Sequence, residues 1–378
     1  LNYFVFASCH LKKVKEAEAV SEEVTQQSKL AEAKRALSGV KMALKKKLGD
    51  DIFTEKVIGI LPSISTGSAL IDKEIGNNGL VLGRVHEIFG NTGSAKTTLA
   101  TLTMINALKQ YPDKFVLYMD FEQAFNLEYS RRLGLDPDDE RFIFMQPSSI
   151  EDGFEIVDRM VSTGILSLVV MDSVPAMISR REMEADYDKE TMAEKPRVLS
   201  RSIPKLLEPL KEANTALVFI NQIRDKLSYG GGTTTPGGKA IPFFATTRLE
   251  LKRSDILTEK DVAYGQVMTA IVRKHKVGRP YGTIKTDLFF GVGFNYTKEV
   301  VIIAKELGII DGSTWLYLPE ANEDGEVIKI QGVDNVVEYY NNNLDKFENL
   351  KTKIQQRLDY SLVADTVKAK DIKDEEGY

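Results

Sequence analysis

Cysteine is almost missing from this chain: Cys9 is the single one among 378 residues. No internal disulfide can form, so a reducing setting is expected, which points to the cytoplasm. Histidine is nearly as rare, with three scattered copies, and together with one cysteine these exclude a zinc cluster. Long apolar runs are lacking too. None approaches the roughly 20 residues that span a bilayer, so no membrane role is expected. Asn2–Cys9 is apolar, but its lysines (Lys12, Lys13, Lys15) follow it, the wrong order for a signal peptide, and no function is assigned to it. An excess of positive charge is also absent, the net being −5. That excludes a uniformly basic coat but leaves room for a basic groove on an acidic body. The remainder is ordinary for a globular protein, 43% hydrophobic and 28% charged, and long enough for two or three domains.

What is present is a glycine-rich stretch, Gly90-Asn91-Thr92-Gly93-Ser94-Ala95-Lys96-Thr97-Thr98. It follows the apolar run Val85–Phe89, read as a strand, and precedes Leu99–Met104, read as a helix. A strand, a glycine turn and a helix opening with Lys-Thr form a phosphate-binding loop. Its backbone N–H groups wrap phosphates, and the helix N-terminus adds positive potential. Lys96 is expected to reach the β- and γ-phosphates of ATP, and the Thr97 hydroxyl to ligate Mg²⁺. Ala95 replaces the usual second glycine, a change tolerable if φ there is negative.

The surrounding pattern is α/β. Strands are expected at Val85–Phe89, Phe115–Met119, Leu168–Met171, Ala216–Ile220 and, more polar, Arg248–Leu251. Helices are expected at Thr97–Gln110, Ile150–Thr163 and Leu199–Ala213, which together give a largely parallel sheet covered on both faces. Ahead of this core, Leu30, Ala33, Leu37, Val40, Leu44 and Leu48 recur at three- and four-residue steps, one apolar stripe on a helix. That stripe could pack on its own domain or on a neighbouring subunit. A glycine–threonine run over 225–241 reads as a functional loop. A smaller α/β pattern starts near Thr297, and the end from Asp371 is charged. The expected domains are a helical extension (1–50), an ATPase core (51–296), a small α/β domain (297–360) and a charged tail (361–378).

Asp172 ends an apolar strand, where a carboxylate can hold the hydration shell of Mg²⁺; helix capping by Asp172 or Ser173 is the plain alternative. Glu122 and Asp120 compete for the activation of water, and the residues alone do not choose between them. Gln222, at another strand tip ahead of the glycine–threonine loop, could sense the γ-phosphate and relay it to that loop. Lys274 and Lys276 alternate along a strand-like charged segment and so share a face, from which they could reach phosphates of nucleic acid or of a neighbour's ATP.

These motifs, in this order, resemble the RecA-type recombinases of bacteria and phages. The likeness rests on Ile64–Ser68, Gly83–Gly90, Tyr118–Ala124, Met171–Val174, Phe219–Arg224 and Thr233–Gly238, and runs from about Leu44 to Leu358. It implies that Glu122 is the catalytic carboxylate, that Gln222 is the switch, and that Lys274 and Lys276 act in trans on the adjacent subunit's ATP. Tyr129 matches the residue that packs on adenine, and Asn126 stands where the family has aspartate. Two DNA loops are implied. One lies around Met192 and continues to Arg197 and Ser200; the other holds Arg224, Lys226, Leu227, Tyr229, Gly237 and Gly238. Further implications are single-stranded and homologous duplex DNA as partners, a head-to-tail helical filament built through the N-terminal helix, a C-terminal domain that admits duplex DNA, and loader and single-strand-binding proteins. The rival readings are a ring-shaped helicase-like motor on the same core and an ATP- and DNA-binding mediator with poor turnover.

Overall fold

The computed structural model describes residues 61–358, except 77, 186–193, 226–232, 279–280 and 323, and part of a helix between 35 and 47. Of the expected N-terminal stripe, Val40 is helical and exposed; its other members lie outside the described residues, as does the charged tail. The chain divides into two units, 1–60 and 61–378, and the second carries everything below.

Two short strands, β1 (Ser63–Ile64) and β2 (Leu80–Val81), pair antiparallel around helix α1 (Ala69–Ile75). Ser68 caps α1, its hydroxyl accepting from the Ile71 amide. The main sheet uses β3 (Val85–Gly90), β4 (Phe115–Asp120), β5 (Phe142–Met145), β6 (Leu166–Asp172), β7 (Ala216–Gln222), β10 (Thr247–Glu259), β11 (Val262–His275), β12 (Thr283–Phe289) and β13 (Gly293–Phe294). Between them, Arg224–Asp225 (β8) and Thr233–Thr234 (β9) pair at the root of the glycine–threonine loop. Among the described residues the order is β13-β12-β11-β10-β3-β7-β6-β4-β5. The six strands from β10 to β5 are parallel, while β11, β12 and β13 add an antiparallel wing.

Successive side chains on a strand face opposite ways, and the two cores follow that rule. Val116, Tyr118, Leu168, Val170, Val218 and Ile220 join one core, with the helix Lys96–Gln110. Leu117, Met119, Val169, Met171, Leu217 and Phe219 join the other, with the helices Ile150–Val161 and Glu194–Ala213. A sheet buried on both faces explains why these strands read as continuous apolar runs. All five expected strands are present. The sequence reading missed β5, which is only four residues long, and the antiparallel wing apart from the strand-like segment at Lys274.

After β13, the helix Tyr296–Glu306 leads to a hairpin of Trp315–Ala321 and Val327–Gln331, then to the helix Val333–Asn342 and a last helix over 344–358. Val300, Leu316, Val336, Tyr340 and Leu350 are buried in the first core. Glu299 ties this segment to α1: its carboxylate accepts from Ser68 Oγ (2.9 Å), from the Leu70 amide (3.4 Å) and from the Thr286 hydroxyl.

Candidate nucleotide and DNA site

Parallel strands place their C-terminal tips on one edge, and the phosphate loop, Asp120, Asp172 and Gln222 stand there, whereas Lys274 pairs with Arg248 near the start of β10. Gly90 ends β3 where only glycine fits, since a Cβ would stand 2.1 Å from the Leu251 carbonyl oxygen and 2.7 Å from Ser94 Oγ. The turn beyond it, through Asn91, Thr92 and Gly93, folds over the Asn91 carbonyl. That oxygen accepts from the Ser94 amide (3.3 Å), Ser94 Oγ (2.8 Å) and Lys96 Nζ (2.8 Å). The helix then begins at Lys96, with Thr97 and Thr98 in its first turn and no side-chain cap at Ala95. First-turn amides with no competing side-chain cap suit phosphate oxygens.

Ala95 does not meet the condition set for it. Its φ is 65° and ψ 26°, the left-handed conformation. The chain has to turn sharply from loop into helix here, and the backbone takes a glycine geometry although a methyl is present. An L-residue in that region costs roughly 1–2 kcal/mol.

Asp120 and Asp172 end neighbouring strands and stand in register. Asp172 Oδ2 accepts from Thr97 Oγ1 (2.8 Å) and from the Tyr118 hydroxyl (2.7 Å). It is a strand residue; Ser173 occupies the cap position of the short turn Val174–Ala176, without a side-chain capping bond. Burial pushes the Asp172 carboxyl above its ordinary pKa, against the pull of the two hydroxyls. Burial likewise lowers the Lys96 amine, opposed by the charges of Asp172 and Glu122. A hydroxyl and a carboxylate 2.8 Å apart beside a lysine form a hard oxygen set that fits Mg²⁺ on a phosphate.

The two rival carboxylates differ in surroundings. Asp120 is buried and organises its own turn, accepting from the Ala124 amide (3.4 Å), the Phe125 amide (3.1 Å) and Gln146 Nε2 (3.5 Å). Glu122 is exposed, and its Oε2 accepts from Ser173 Oγ at 2.8 Å, next to Asp172. Asn126 caps the helix Leu127–Leu133, its Oδ1 accepting from the Tyr129 amide at 2.8 Å. The Tyr129 hydroxyl accepts from the Gly291 amide at 3.4 Å.

Gln222 ends β7, half-buried, and its amide donates to Asn221 Oδ1 at 2.9 Å. Asn221 Nδ2 donates to buried Glu87 (2.9 Å) and to the Pro236 carbonyl (3.0 Å), which holds the exit of the glycine–threonine loop against the strand tip. Glu87 is paired in turn with Arg248, which lies over the Phe89 ring. A cleft of about 820 Å³ opens here between Asn91, Arg224, Thr233, Arg248, Lys252 and Arg273. Lys274 and Lys276 do converge: both amines donate to the Phe243 carbonyl (2.8 and 3.3 Å), at the end of the helix Ala240–Phe244 that follows the loop.

Of the expected DNA contacts, Arg197, Ser200, Arg224 and Gly238 are exposed, and Arg197 pairs with Glu194. Gly237 is buried beneath Leu199 and Val174. Met192, Lys226, Leu227 and Tyr229 lie outside the described residues. Sequence reasoning missed Tyr118 and Asn221, each a polar residue hidden in an apolar strand; such interruptions are the only sign of them.

Residues 32–295 match the family described as the RecA N-terminal domain. The Protein RecA of Desulforapulum autotrophicum is 34% identical over 306 residues, covering 80% of this chain and 86% of that protein. That of Malacoplasma penetrans is 31% identical over 319 residues, covering 84% and 94%. That of Streptomyces venezuelae is 33% identical over 308 residues, covering 81% and 79%. The match spans the sheet whose tips carry the phosphate loop and its carboxylates, and the chain accordingly belongs to the RecA family of ATP-dependent DNA recombinases.

Proposed function

We propose that this chain polymerises head-to-tail on single-stranded DNA and, hydrolysing ATP with Mg²⁺, pairs that strand with homologous duplex and exchanges strands. The observation that carries the reading is the contact between Thr97 and Asp172, beside Lys96 and across from Glu122. The loop amides of Gly90–Thr98 and the Lys96 amine would bind the phosphates. Thr97 and Asp172 would hold Mg²⁺, which when bound neutralises phosphate charge. Glu122, kept in place by Ser173, would take the proton of the attacking water. Gln222 would pass the state of the γ-phosphate to the loop after it. Asn126 and Tyr129 would frame the base.

Lys274 and Lys276 would complete a neighbour's site, each amine leaving the carbonyls that now hold it. Subunit contacts would then depend on the nucleotide, as an open helical assembly requires. Arg197, Ser200, Arg224 and Lys226, with the amides of Gly237 and Gly238, would hold the DNA backbone, while Met192, Leu227 and Tyr229 separate bases. Homology would be tested by base pairing between strands. Among the described residues no helix is long and apolar enough to cross a membrane. The proposed setting is the cytoplasm, with loader and single-strand-binding proteins as further partners.

The test is joint-molecule formation between a circular single strand and a homologous linear duplex. Product that requires ATP and homology, with filaments under negative stain, supports the reading. Closed rings that unwind duplex without regard to homology would overturn it in favour of a helicase-like motor.

A further inference from the structure

Lys195 is the second residue of the helix Glu194–Ala213. A cation there faces the positive end of the helix dipole, the unfavourable end. Its amine is turned away from the helix and donates to the carbonyls of Val174 (3.2 Å) and Pro175 (2.7 Å). Those carbonyls belong to the short turn directly after Asp172 and Ser173, the residues that touch Thr97 and Glu122. Burial lowers the amine's pKa, Glu182 opposes that effect, and Arg224 at the root of the second loop adds to it.

Three segments converge on this point. Glu194, at the start of the helix, pairs with Arg181 (2.8 Å) and with Arg197 (3.1 Å). The second loop ends at Gly237 and Gly238, packed so closely that added Cβ atoms would stand 2.8 Å from Leu199 Cδ1 and 3.0 Å from Pro196 Cβ. At Gly237 the same Cβ would also stand 3.0 Å from Val174 Cγ1. The turn after Asp172, the start of the helix and the exit of the second loop therefore form one packed joint, and Lys195 is its polar tie.

We infer that Lys195 is a positioning residue that couples the metal-side turn to both DNA loops. The inference rests on the function proposed above. A shift of Asp172 and Ser173 on nucleotide binding moves the Val174 and Pro175 carbonyls. Through the lysine, the start of the helix that carries Arg197 and Ser200 follows, and Gly237–Gly238 moves with it.

The test compares Lys195→Met, which keeps the stem and removes the donors, with Lys195→Arg, which restores a cationic donor. The readout is the affinity for a fluorescein-labelled single-stranded oligonucleotide with and without ATP. K195M is expected to stay folded and to keep DNA-free hydrolysis, while the ATP-induced gain in DNA affinity falls about tenfold, the scale of one charge-assisted hydrogen bond. K195R is expected to recover most of that gain. Hydrogen exchange supplies a second measurement on the unmodified chain: ATP is expected to change protection in 194–200 and 236–240 together. A K195M variant that keeps the full ATP-induced gain, or exchange that changes in one segment alone, overturns the coupling. An unmodified chain whose DNA affinity ignores ATP overturns the proposed function, and the coupling with it.

Discussion

Carboxylates and hydroxyls gather at two places in this molecule, with different consequences. At the strand tips, Asp172 meets the hydroxyls of Thr97 and Tyr118, and Glu122 meets that of Ser173, with Lys96 alongside and Glu122 and Thr97 exposed. At the junction of α1 with the C-terminal segment, Asp72 meets half-buried Ser65 and buried Thr66, and Glu299 meets buried Ser68 and Thr286. Burial there pushes Asp72 up to about 6 and Glu299 up to about 7. The same residue types thus stand at an open edge, the proposed reaction site, in one place and form an internal fastening in the other. Access and the neighbouring lysine separate the two roles; residue type does not.

Removing the exposed carboxylate tests the reactive side most severely. Glu122→Ala is expected to lower ATP hydrolysis by about 10²–10⁴-fold while ATP still binds, as measured by phosphate release and nucleotide titration. A comparable loss of ATP binding would mean that Glu122 supports the fold instead. On the enclosed side, a carboxyl whose folded pKa lies above its unfolded value stabilises the protein at low pH, and loses that contribution as pH rises through the folded value. Glu299, raised from 4.5 to about 7, corresponds to roughly 3 kcal/mol over that window. The melting temperature should therefore fall between about pH 4.5 and 7, and Glu299→Gln should flatten the fall.

Tyr118→Phe sharpens the comparison at the reactive edge, since it removes an outer partner of Asp172 and leaves the packing. The Mg²⁺ concentration for half-maximal hydrolysis should rise about 10–100-fold, the usual cost of losing such a partner. The smallest effect belongs to the phosphate loop. Ala95→Gly relieves a left-handed alanine but adds glycine's freedom to the unfolded chain, so a gain of at most about 1 kcal/mol is expected in thermal melts.

The parallel strands, the phosphate loop and the tips bearing Asp120, Asp172 and Gln222 were legible in the sequence, because a sheet buried on both faces writes itself as apolar runs between glycine turns. Three things were not. The sign of φ at Ala95 depends on the path of the loop, which residue identity does not encode. The different surroundings of Asp120 and Glu122 depend on which carboxylate the following turn consumes; Asp120 accepts the amides of Ala124 and Phe125, and Glu122 is exposed. The ties through Asn221 and Lys195 join residues at least 15 and 20 positions apart, and only the fold brings them together.

The central claim is that nucleotide chemistry at the strand tips answers to DNA at the loops. The most direct measurement is the rate of ATP hydrolysis with no DNA, with single-stranded DNA and with duplex DNA. The account predicts strong stimulation by single strands and little by duplex. ATP that binds but is not hydrolysed under any of the three conditions would contradict it, and would point to Ala95 and a mediator without turnover.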